Sequence, residues 1–149
     1  MWAEFVGKRS PKVKNGVERG AVRKFAEAIG DLNPLYLNEE TAAQSRYGSL
    51  IAPPTFPRTF QYGKIKDLPL PESGLIHGEQ SFYYERPLLV GEEVYCYTEL
   101  KKVFEKKGGS GLLTFLVFER VGEDPEGKRI FMTRETIIIT ETVRKGMQR

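Results

Sequence analysis

From Ile76 onward the chain carries four long runs rich in β-branched and aromatic residues: 76–86, 93–104, 112–121 and 129–142. Such runs read as β-strands. The segments between them, Leu88–Glu92, Lys107–Gly111 and Gly122–Gly127, are short and turn-like, so a strand meander is expected. The cluster Gly108-Gly109-Ser110-Gly111 has the glycines of a phosphate loop. It lacks the following Lys-Ser/Thr and helix that such a loop needs, so it reads as a hairpin turn.

The first half is patterned differently. Over residues 18–29, Val17, Ala21, Val22, Phe25 and Ile29 recur at helical spacing, with Arg19, Arg23, Lys24 and Glu27 opposite. Gly30 is a left-handed stop. Asp31-Leu32-Asn33-Pro34 reads as an irregular turn, because Asp and Asn bond nearby backbone and Pro34 disfavours helix at Asn33. Asn38 is an N-cap for a short helix ending near Tyr47-Gly48. After the rigid Pro53-Pro54 corner a third, apolar helix is expected near Thr55–Tyr62, with Pro57 in its first turn and Gly63 beyond its end.

Composition excludes several chemistries. The 149 residues suit one domain spanning the whole chain. The single histidine, His77, and single cysteine, Cys96, rule out a multi-histidine or cysteine-rich metal site and an intrachain disulfide. No metal and no cofactor is expected. Cys96, mid-strand in Val94-Tyr95-Cys96-Tyr97, reads as a small core residue. The net charge of +3 is dispersed, with Glu99 and Glu105 interrupting Lys101-Lys102 and Lys106-Lys107, which argues against nucleic acid as a partner. No apolar run approaches the roughly 20 residues that span a bilayer. Met1-Trp2-Ala3-Glu4-Phe5-Val6 is too short and polar for a signal peptide, so the expected location is cytoplasmic.

A helix followed by long antiparallel strands is an α+β plan. On that plan, Phe25-Ala26-Glu27-Ala28-Ile29-Gly30-Asp31-Leu32-Asn33-Pro34-Leu35-Tyr36 resembles the hydratase motif of MaoC-like dehydratases, in which Asp-x-Asn-Pro-x-His follows a helix. The resemblance continues through Ile51–Phe56, His77–Pro87 and Val90–Val94, and covers most of the chain from about Val17 to Thr140. It is similar to the N-terminal-type MaoC domain and to dehydratase subunits. It implies a hot-dog fold, a curved antiparallel sheet wrapped around a central helix near Thr55–Tyr62, paired as a double hot-dog dimer. It also implies an acyl thioester ligand, carried by CoA or acyl carrier protein. In catalytic members the motif's Asp and His position and deprotonate water and handle the α-carbon proton, and a backbone N–H holds the thioester oxygen.

This sequence keeps Asp31, Asn33 and Pro34 but has Tyr36 where the motif has His. Pro54 stands where the family's oxyanion-binding glycine falls, and proline has no N–H to donate. A phenol near its ordinary pKa of about 10 is a poor base at neutral pH. One lost oxyanion donor costs roughly 3 kcal/mol of barrier. Asp31 either positions water or bonds its own turn. His77, the only imidazole, either substitutes for the motif base or bonds backbone at the strand start. Gln80 reaches the motif loop or faces solvent, and Tyr62 lines a tunnel or fills core. The resemblance therefore implies a dehydratase or hydratase subunit that binds the acyl chain through Asn33, Pro54, Tyr62 and Gln80, while a second MaoC-like chain supplies the complete Asp/His pair. The alternatives are a self-sufficient hydratase using Asp31 with Tyr36 or His77, in a homodimer, and a non-catalytic thioester-binding module.

Overall fold

The computed structural model describes residues 1–109 and 111–147. Strands β1 (Val13–Gly16), β2 (Ile76–Tyr84), β3 (Glu93–Gly108), β4 (Gly111–Glu123) and β5 (Arg129–Ile139) form one five-stranded antiparallel sheet in the order β1-β3-β4-β5-β2. The helices are α1 (Arg19–Ile29), α2 (Pro34–Leu37), α3 (Glu39–Gln44) and α4 (Glu141–Met147). Each predicted strand is present. The expected turn at Lys107–Gly111 joins β3 to β4, with its Ser110 outside the described residues.

The plain meander is corrected. β2 lies beside β5 at one edge of the sheet, and the chain crosses to reach β3. Residues 88–90 make that crossing by pairing with 50–52: Ala52 N–H donates to Leu88 O at 2.9 Å and Val90 N–H to Leu50 O at 2.9 Å. Arg86 clamps Glu92 through two bonds of 2.8 and 2.9 Å, which closes the bend. β1 and α4 were not legible as elements. β1 is four mixed residues, and α4 takes over where the predicted strand 129–142 was expected to continue.

The expected central helix near Thr55–Tyr62 is also corrected. Only Phe56–Thr59 forms a single 3-10 turn, and Phe60 is already extended. Pro57 disfavours α geometry at Phe56. The Asn15 side chain then takes the Gln61 backbone, accepting from its N–H at 2.9 Å and donating to its C=O at 2.8 Å, so Gln61 cannot bond back along a helix. Ser10 Oγ donates to Tyr62 O at 2.6 Å, so residues 61–63 run alongside residues 10–15.

Phe56, Phe60 and Tyr62 still fill the concave side, packed with α1 against β3 and β5. α1 buries Val22 and Ala26 with Phe25 beside them, while Ala21 and Ile29 of the predicted face are exposed, because the sheet reaches only one side of the helix. Gly122 of β4 lies opposite Phe131 of β5, and a Cβ there would fall inside the Phe131 ring. Glycine is therefore what lets that fully buried ring cross the sheet. A second cluster, with Trp2, Leu100, Leu116 and Ile139, closes the other end. No described helix is long and apolar enough to cross a membrane.

Candidate active site

Gly30 ends α1 in the left-handed conformation, and Asp31 N–H caps back to Ala26 O at 3.0 Å. The chain then turns, and Asn33 Oδ1 accepts from Leu35 N–H at 3.0 Å to start α2. These local bonds bring Asp31 and Tyr36 together. The Tyr36 ring is buried, beside the Asp31 carboxylate. Burial first, and then the Asp31 charge, push the phenol above its ordinary pKa. Tyr36 is thus held protonated, as a donor.

Tyr36 opens into a cleft of about 520 Å³ that also includes Arg46, Tyr47, Ala52, Pro54 and Tyr84. Pro54 therefore does reach the cleft wall. It presents a carbonyl, which accepts from the Tyr84 hydroxyl at 2.6 Å. Arg46 lies over Tyr47 and donates to its hydroxyl at 2.8 Å. The cleft is aromatic, bounded by the guanidinium groups of Arg46 and Arg86 and the carboxylate of Glu85, and no imidazole lines it.

The remaining predicted residues lie elsewhere. Asn33 is an exposed cap. Tyr62 is buried core: its hydroxyl donates to Pro57 O at 2.6 Å, and Arg120 lies 5.0 Å from its ring. Gln80 is exposed on β2, opposite Glu135, and no hydrogen bond joins it to the motif turn among the described residues. His77 is seven positions from Tyr84 along β2, roughly 20 Å away at strand spacing. Its neighbour is a side chain rather than backbone: its Nδ1 lies 3.0 Å from Glu135 Oε1. Arg120 Nη1 stands 3.4 Å from the other Glu135 oxygen.

Sequence reasoning missed Arg46, Tyr47, Tyr84, Arg120 and Glu135. Glu135 left a signal. It falls in the inward register Phe131, Thr133, Ile137, Ile139, where a carboxylate is costly without partners. Among the described residues no group of three carboxylate, thiol or imidazole side chains stands close enough to hold a metal ion.

Residues 4–133 match the family described as "FAS1-like, dehydratase domain region", and the chain belongs to that family. A UPF0336 protein of Thermobifida fusca is 38% identical over 104 residues, covering 66% of this chain and 68% of its own. Among solved structures, the C-terminally truncated HadBC (3R)-hydroxyacyl-ACP dehydratase complex of Mycobacterium tuberculosis superposes with a TM-score of 0.74 at 20% identity. That match covers 93% of this chain and 100% of the other. The ChsH1-ChsH2 complex of the same organism gives 0.73 at 21% identity over 87% of each chain. The architecture is the hot-dog fold of MaoC-like dehydratases.

Proposed function

We propose that this chain is a subunit of a (3R)-hydroxyacyl-thioester dehydratase or enoyl-thioester hydratase. It binds the acyl group, and a second MaoC-like chain supplies the complete Asp/His pair. The observation that carries this reading is Tyr36 on the cleft wall, beside Asp31, with Pro54 on the same wall. The motif's carboxylate is kept, while its base is replaced by a phenol that burial and Asp31 hold protonated. Pro54 has no N–H to donate where the family's oxyanion donor falls, and its carbonyl is taken by the Tyr84 hydroxyl. An aromatic cleft without its own base suits binding more than proton transfer. The structurally similar HadBC and ChsH1-ChsH2 proteins are each described as complexes, which supports a partner chain. The ligand is an acyl thioester on CoA or acyl carrier protein, and the setting is the cytoplasm.

The test is hydration of crotonyl-CoA by this protein alone and with a co-purified MaoC-like chain bearing an intact Asp-x-Asn-Pro-x-His. A rate that rises at least tenfold on mixing, on the order of 1.4 kcal/mol of barrier, is expected. Ordinary enzyme rates from the lone protein would overturn the partner requirement.

A second reading, a self-sufficient hydratase, is favoured by one observation. The only imidazole, His77, has its Nδ1 3.0 Å from a buried carboxylate, Glu135. Acyl-CoA binding without turnover under any pairing would instead support a binding module.

A further inference from the structure

The concave side of the sheet holds a second cavity, of about 610 Å³. It shares no lining residue with the Tyr36 cleft. The packed core of Phe60, Tyr62 and Phe131 lies between the two. Phe131 packs on Tyr84 of the cleft wall, and Tyr62 has Arg120 of the cavity 5.0 Å from its ring. A volume of this size is ordinary for a small-molecule site.

The floor of the cavity is the sheet, and its roof is the connector 63–70. The roof is tied near both ends. Ser10 Oγ donates to Tyr62 O at 2.6 Å, and the Trp2 indole N–H donates to Pro69 O at 2.6 Å. Between them Ile65 is buried in the second core cluster. The space below is therefore built into the fold.

The floor is graded in polarity. Thr98 of β3 lies directly opposite Arg120 of β4, so the two side chains rise together on one face. Phe118, two positions from Arg120, and Ile137 of β5 continue the same floor in apolar form. Thr98, Phe118 and Ile137 are all buried. One end of the floor thus offers a guanidinium and a hydroxyl, and the other offers two apolar side chains.

Arg120 is incompletely paired. A guanidinium has five N–H donors. Its Nη1 stands 3.4 Å from Glu135 Oε2, and its Nε has no hydrogen-bond partner among the described residues. Arg86, by contrast, makes two bonds of 2.8 and 2.9 Å to Glu92. Lys64 and Lys66 add exposed ammonium groups on the roof, and neither is in a salt bridge among the described residues. Asp67 is the one carboxylate in the lining. Lys64, Lys66 and Arg120 against Asp67 leave the cavity cationic at its polar end. A carboxylate is the planar acceptor that a guanidinium takes through two parallel bonds.

We propose that this cavity binds a free medium-chain monocarboxylate, with its carboxylate on Arg120 and Thr98 and its alkyl chain over Phe118 and Ile137. The site is separate from the thioester cleft and does not rest on the function proposed for it. Charge makes the distinction. A thioester carbonyl is neutral, whereas a free carboxylic acid is ionised at neutral pH and meets three cations.

The single tryptophan, Trp2, is bonded to the roof, so its emission reports on the cavity. The full chain is titrated with octanoate and, separately, with octanol, by calorimetry and by Trp2 fluorescence. One octanoate per chain is expected, with a Kd below about 1 mM and a change in Trp2 emission. Octanol should bind at least roughly tenfold more weakly. Arg120→Gln should weaken octanoate by about tenfold or more and leave octanol unchanged. That variant strips Glu135 of a cation, so Lys64→Gln with Lys66→Gln, at exposed positions, keeps the test open if Arg120→Gln does not fold. The lysine pair should weaken octanoate about threefold. Arg46→Gln, on the wall of the other cleft, should leave octanoate binding unchanged. The proposal falls if octanoate does not bind the wild type, or if octanol binds as well. It falls too if Arg46→Gln weakens octanoate while folded Arg120→Gln, or the lysine pair, does not. Crotonyl-CoA hydration tests the thioester reading separately.

Discussion

Near the Tyr84 end of β2 a carboxylate lies beside a phenol; at the Ile76 end a carboxylate lies beside an imidazole. The first pair, Asp31 and Tyr36, sits on a turn built from local caps, beside an open cleft. The second, Glu135 and His77, sits in the hydrogen-bonded body of the sheet. The cleft end has room for a ligand but no base. The other end has an exposed imidazole, beside a carboxylate packed into the sheet. The contrast teaches that the titratable pairs of this chain are not confined to the motif that identifies its fold.

The comparison can be broken most severely at Phe131, whose ring packs against both Tyr84 and Phe60. Phe131→Ala should cost about 3–5 kcal/mol of unfolding free energy, read from urea denaturation, and should loosen the cleft end first. A loss below about 1 kcal/mol would mean that the ring is not the keystone its burial implies. Next in size is a gain. Restoring the motif with Tyr36→His and Pro54→Gly together should raise crotonyl-CoA hydration by the isolated protein on the order of a hundredfold, if the cleft lacks only a base and a donor. An unchanged rate would show that the aromatic wall, not the missing groups, limits the chemistry.

Smaller effects sharpen the same contrast. Tyr84→Phe removes the bond to Pro54 and should cost about 1 kcal/mol in denaturant unfolding while leaving the His77 end unaltered. The smallest effect concerns alkaline pH. The folded state holds the Tyr36 proton more tightly than the unfolded chain, whose phenol titrates near pH 10. The contribution is therefore whole below about pH 10 and lost as pH rises through the higher folded value. Tyr36→Phe should flatten that alkaline decline in urea midpoints; parallel curves for wild type and variant would remove the Asp31 contact from the account.

Legibility in the sequence followed the range of the forces involved. α1, its Gly30 stop and the Asn38 cap depend on neighbours within four residues and were readable. The four strands were readable from composition, but the place of β2 beside β5 was not, because the 50–52 and 88–90 pairing is decided at long range. The Thr55–Tyr62 helix failed for the same reason: an amide 46 residues away, on Asn15, captures Gln61. At the site, Tyr36 and Pro54, from two separate motif stretches, both line the cleft, and Asp31 stands beside Tyr36. His77 was singled out as the lone imidazole, but its partner Glu135 lies 58 positions away and only strand pairing joins them.

The Asn15 clasp on Gln61 bears also on how such chains accumulate. A sheet with two free edges is a monomer for a fibre, since every addition leaves another edge to extend. Here a single amide side chain helps to shut one of them. That leaves β2 as the one uncovered edge among the described residues, so edge-to-edge growth has one place to start instead of two. The residue that denies the chain its central helix thereby also helps to close a sheet edge.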